Sequence, residues 1–170
     1  MFMASFGMLL PELPGYLEQL GAGHLIGWIV ALFTVGAFLS RFFSGRLADV
    51  AGRRVVMLFG TAVSAVAGLA YVGVNHIDDV SMCVMAFLGL RLLHGMSTGF
   101  RPTGTSAFLT DIVHPSRRGE ALGYLGVAGN AGMAMGPALG SWLAVEWGYD
   151  AMFVVSSLLG VASYGMTTLL

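Results

Sequence analysis

Apolar residues in this chain come in runs too long and too unbroken for a core surrounded by water. Residues 25–43 hold a single charge, Arg41, and residues 55–74 hold none. Each run is close to the ~20 apolar residues that carry a helix across a bilayer. Between them lies a polar, basic island, Gly45-Arg46-Leu47-Ala48-Asp49-Val50-Ala51-Gly52-Arg53-Arg54. The island reads as a tight turn at a membrane face, with Gly45 and Gly52 supplying close backbone approach and positive φ. Short loops rich in arginine stay in the cytoplasm, so its arginines assign the face. Only 10% of the residues are charged, against about 25% in a soluble domain. A soluble bundle carrying five such runs would have no polar face left for water.

The remaining segments follow the same rule. Residues 80–109 form a fourth span, longer than a bilayer needs and interrupted by Arg91, Arg101 and Pro102; residues 121–145 and 151–170 form a fifth and a sixth. Residues 1–10 alone give roughly 15 Å of helix, too short to cross. The first span, 1–20, therefore either continues kinked through Pro11 and Pro14 or lacks its opening turns. Loop charges alternate: Arg41, Arg46, Arg53, Arg54, Arg117 and Arg118 lie on one side, and Glu12, Glu18, Asp78, Asp79, Glu146 and Asp150 on the other. Six crossings follow, with both ends in the cytoplasm.

Other function classes lack their residues. All eight basic residues are arginine, the net charge is −1, and no basic patch exceeds the loop pairs, so nucleic acid has no footprint. The single Cys83 forms no disulfide framework, and His24, His76, His94 and His114 are too scattered for a metal. No nucleophile-base set or phosphate loop is present, so neither catalytic residues nor a cofactor is expected.

The island, Gly-x-Leu-Ala-Asp-x-x-Gly-Arg-Arg, resembles the cytoplasmic signature between helices two and three of the major facilitator superfamily of secondary transporters, with Val50 where the family usually has Arg or Lys. Residues 6–20, around Pro-Glu-Leu-Pro-Gly-Tyr-Leu-Glu, resemble the outer end of its first helix. Arg91-Leu92-Leu93-His94-Gly95 resembles the fourth-helix motif of proton-coupled members, where the arginine lines the central cavity and serves proton transfer; His94 stands where Gln is common. Gly123, Gly132, Gly136-Pro137 and Gly140 resemble the fifth-helix signature of the drug:proton antiporters, with Ser141 replacing the final glycine.

Physical readings stand beside that resemblance. An arginine at Arg91's depth costs about 2.5 to 3.5 kcal/mol on insertion scales, so it needs a partner or a wet cavity. The rival is a structural arginine bonded to backbone carbonyls, and a satisfied core histidine is an equal reading of His94. Arg101 either lines the cavity or, the favoured reading, snorkels to headgroups. Gly132, Gly136 and Gly140 recur every four residues as a side-chain-free ridge, and Pro137 bends the helix beside it. Glu12 is the carboxylate nearest the membrane interior, with an exposed place in a Pro-rich turn preferred. The resemblance implies that Asp49, with Gly45, Gly52, Arg53 and Arg54, latches the inner side.

The fold expected is an all-α membrane domain of six helices in three-plus-three inverted repeats, the N-terminal half of a transporter whose C-terminal half lies beyond residue 170. Its expected partners are a small molecule, protons, lipid and that second half. Its expected place is the inner or plasma membrane, and its expected mode of action is alternating access with proton-coupled efflux. A six-helix scaffold or oligomeric channel built on the glycine ridge is the alternative.

Overall fold

The computed structural model describes residues 1–170 and is helical nearly throughout. α1 (Phe2–Leu9) and α2 (Glu12–Gln19) are joined by Leu10 and Pro11, both with helical φ/ψ. Pro11 and Pro14 cannot donate to the carbonyls one turn back, so the rod bends without ending. Residues 2–19 thus form one helical rod kinked at its prolines. A 3-10 turn, Gly23–Leu25, leads into α3 (Ile26–Val50), followed by α4 (Arg53–Asn75), α5 (Val80–Ile112), a second 3-10 turn at Pro115–Arg117, and α6 (Arg118–Thr168). Four helical stretches are long and apolar enough to cross a membrane, those containing α3, α4, α5 and α6.

Two boundaries differ from expectation. α3 does not stop near residue 43 but continues to Val50, so Gly45 is helical and the turn shrinks to Ala51 and Gly52. The cause is a buried line of small residues, Gly36, Ser40, Ser44 and Ala48, spaced so that all face α5. Only Gly52 takes the positive φ the turn needs, at φ 95°. α6 is one helical run broken at a single residue, Gly148 (φ 82°, ψ 170°), where an acidic loop over 146–150 was expected. That conformation is essentially restricted to glycine. It divides α6 into a first arm (118–147) and a second arm (149–168).

Contacts between small residues fix how the helices run. α1 lies parallel to the first arm: Gly132 abuts Met3 and Ala4, Gly136 abuts Ala4 and Gly7, and Gly140 abuts Met8. α3 lies parallel to α5, with Gly95 against Phe33, Gly99 against Ala37 and Ser40, and Ser44 meeting Thr103. α4 is antiparallel to the second arm: Arg54 at its start donates to the Thr168 carbonyl, Gly68 abuts Ser157, and Asn75 at its end donates to Asp150 at 2.7 Å.

The main apolar cluster fills the end of the bundle remote from Gly52, around Leu13, Tyr16, Leu17, Tyr71, Val84, Phe87, Met152 and Phe153. At the Gly52 end the second cluster is only Ala48, Val56 and Phe100. One end is closed by aromatic packing and the other is left open. Around the outside, Trp28, Phe42, Val66, Met85, Trp142, Trp147 and Leu158 are exposed, an apolar jacket that suits lipid and not water.

Candidate functional site

The open end holds a cavity of about 880 Å³, within the range of small-molecule sites. Its walls come from α1 (Phe2, Met3, Phe6), α3 (Phe33, Thr34, Ala37, Phe38, Arg41), α5 (Thr98, Arg101, Pro102, Thr105, Ser106) and the first arm of α6 (Leu122 to Met133, including Asn130); α4 and the second arm contribute none. Four phenylalanines make it apolar, while hydroxyls, one amide and two guanidiniums give it polar points. No carboxylate lines it.

Arg101 turns inward instead of reaching for headgroups. Its Nη2 donates to Ser163 Oγ at 2.9 Å, its guanidinium carbon lies 4.6 Å from the centre of the Phe2 ring, and its Nε has no partner. Gly60 of α4 abuts the Arg101 backbone and admits this part of α5 at close range. Pro102, the next residue, has no amide hydrogen for the Thr98 carbonyl. Thr98, Thr103 and Thr105 donate their hydroxyls to the Gly95, Gly99 and Arg101 carbonyls one turn back, which holds the helix together around the proline.

Arg91 is not among the cavity residues. It is fully buried between α3, α4 and α5, its Nε 3.5 Å from the Ile29 carbonyl and its guanidinium 4.5 Å from the Phe33 ring centre; Nη1 and Nη2 have no partner. His94 is buried on the same side of α5, with Nε2 3.4 Å from Ser64 Oγ and Nδ1 unpartnered. The Tyr71 hydroxyl, also buried and unpartnered, belongs to the same group, its ring 5.9 Å from that of His94. Phe33 and Phe6, stacked at 4.9 Å, separate this group from the cavity. Sequence reasoning missed Ser64 and Tyr71, although their seven-residue spacing on one helix face was readable.

At the Gly52 turn, Arg53 bridges Asp49 at the end of α3 and Asp111 at the end of α5, the latter at 3.1 Å. Asp49 is thus paired within the chain. Arg54, bonded to the Thr168 carbonyl, places a cation at a helix C-terminus, where the dipole favours it. At the far end, Glu12 is half-buried and accepts from Ser141, the residue that departs from the glycine pattern. Tyr16 donates to Asn75 at 2.6 Å, and Asn75 in turn to Asp150, tying α2, α4 and α6 together. The Gly132-Gly136-Gly140 ridge is covered by α1, and Pro137 meets Gly7 beside it.

A helical bundle jacketed in apolar side chains, closed at one end and holding a lateral cavity at the other, defines a multi-pass membrane protein of the transporter type. The sequence profile of the Major Facilitator Superfamily matches residues 1–170, and the chain belongs to that family. It is 28% identical over 165 residues to the quinolone resistance protein NorA of Staphylococcus aureus, covering 96% of this chain and 40% of that protein. It is 31% identical over 170 residues to the multidrug resistance protein MdtG of Yersinia enterocolitica, covering 96% of this chain and 39% of that protein. The chain therefore spans about two fifths of the curated relatives it matches.

Proposed function

We propose that this chain is the N-terminal half of a secondary transporter of the plasma membrane that exports a small, largely apolar compound in exchange for protons. The observation that carries the reading is the cavity, walled by α1, α3, α5 and the first arm of α6 and backed by α4 and the second arm. With Gly148 as a reversal point, the chain makes six crossings with both ends on the arginine side, in line with the loop charges. Exchanging the first three crossings with the last three converts the pair α1 and first arm into the pair α5 and α3, and maps α4 and the second arm onto each other. The packing of α1 on the first arm, of α3 on α5 and of α4 on the second arm supports a three-plus-three inverted repeat.

Alternating access then rocks this unit against a second one across the cavity mouth. Arg91, His94 and Tyr71 form the dry polar group through which protonation is sensed, and the Asp49-Arg53-Asp111 bridge holds the inner ends of α3, α4 and α5 together. Names of the relatives, quinolone and multidrug resistance proteins, favour export. The glycine ridge is consumed by α1, which leaves it no role as a contact between copies.

The test is expression of the full-length protein in a bacterial strain stripped of its own pumps. Accumulation of a fluorescent dye or a quinolone is expected to fall, and to recover when a protonophore collapses the proton gradient. Arg91→Ala is expected to abolish the effect. Unchanged accumulation across a broad panel of compounds, with the protein present in the membrane, would overturn the proposal.

A further inference from the structure

We infer that the cavity selects amphiphilic organic anions, an apolar or aromatic body carrying one acidic group, with Arg101 as the anchor for the acid. The inference rests on the transporter reading and names its substrate class. Two guanidiniums, Arg41 and Arg101, line the cavity, and no Asp or Glu does. The carboxylates of the lining helices are engaged elsewhere: Asp49 and Asp111 with Arg53, Glu120 with Arg117, and Asp150 with Asn75 and His76, while Glu146 lies beside Gly148 at the opposite end. The wall is therefore cationic, and a partly buried charge there gains from a counter-charge that adds to its hydrogen bonds.

Arg101 is built to receive one. Its position is set from three sides, by the Phe2 face, by Ser163 and by the close passage of Gly60. A guanidinium offers five N–H donors in a planar fork that matches a carboxylate or phosphate. Ser163 takes one of them, and the buried Nε has no partner. Phe33 and Phe38 and the hydroxyl of Thr98 border the same space, so an aromatic body fits beside the charged point. A hydrophobic cation, by contrast, would meet two like charges.

The experiment uses the full-length protein in lipid nanodiscs and a matched series on one ring system: 1-naphthoate, its methyl ester and 1-naphthylmethylamine, with binding read by quenching of tryptophan fluorescence. The acid is expected to bind ahead of both partners. Arg101→Gln is expected to weaken the acid about ten- to a hundredfold, the worth of a charged hydrogen bond, while leaving the ester unchanged. Arg101→Lys, which keeps the charge, is expected to retain part of the affinity, and Arg41→Gln, at an exposed position that the fold does not need, to lose less than Arg101→Gln. A thermal melt confirms that each variant is folded. Ester or amine binding as tightly as the acid, or Arg101→Gln binding the acid as the parent does, overturns the inference. Proton-linked efflux of cations with no acid bound also overturns it and leaves the transporter reading standing. Acid binding with no transport of any kind supports this inference and counts against transport.

Discussion

Arg91 concentrates the energetic question at the scale of single residues. Its buried Nη1 and Nη2 have no acceptor, and each such unsatisfied group costs about 1 to 3 kcal/mol. An apolar side chain of similar length would remove that cost, since replacing buried charge by packed hydrocarbon is often neutral or stabilising. Arg91→Met is therefore expected to melt at the same temperature as the parent or higher while losing proton-linked transport, checked by a detergent melt beside an efflux assay. A large fall in melting temperature would instead make Arg91 a structural residue. The glycines allow a similar contrast. A Cβ on Gly136 would stand 2.8 Å from the Ala4 carbonyl oxygen and Gly7, whereas one on Gly45 meets nothing within 4 Å. Gly136→Val is expected to destabilise by about 1 to 3 kcal/mol through overpacking. Gly45→Ala, in a helix interior, is expected to be neutral or to stabilise by up to roughly 1 kcal/mol, and the same melt reads both.

Elements in this chain are held together by matched ridges of small residues, and that is where sequence and structure part company. The ridge at Gly132, Gly136 and Gly140 is legible because glycine repeats every four residues. Its counterpart in α3, Gly36, Ser40, Ser44 and Ala48, mixes residue types and passes into a stretch whose arginines suggest a loop, so the helix end was placed too early. The second arm of α6 carries another, Ser156, Gly160, Ser163 and Thr167, all buried. Charge-free length made the crossing segments readable, because lipid imposes it locally. The direction of Arg101 was not readable, because Phe2 and Ser163, which fix it, come from distant parts of the chain. The break in α6 has the same character: Glu146, Trp147, Tyr149 and Asp150 suggest a loop, but the one glycine among them suffices. Gly148→Ala, which asks an L-residue to hold φ 82°, is expected to cost about 1 to 3 kcal/mol. Circular dichroism would show helix content retained, and the melt would show the loss.

Across the whole molecule, unequal packing of the two ends is what gives the bundle a direction. Aromatic side chains of α2, α4, α5 and α6 close one end, with Tyr16 5.1 Å from Phe87 and Tyr71 5.3 Å from Phe153. The other end holds only the small cluster of Ala48, Val56 and Phe100 and the Arg53 and Arg54 bonds at its rim, and the cavity opens there. Arginine-bearing turns resist translocation, so the proposed orientation puts the open end in the cytoplasm and the closed end outside. Cys83 is buried and stays silent toward a membrane-impermeant maleimide, so single added cysteines report their own side. Asp78→Cys, at the exposed turn between α4 and α5, is expected to label in intact cells. Arg46→Cys, exposed near the end of α3, is expected to label only after the cells are opened. Labelling of Arg46→Cys from outside would reverse the bundle in the bilayer and, with it, the side from which the cavity takes its substrate.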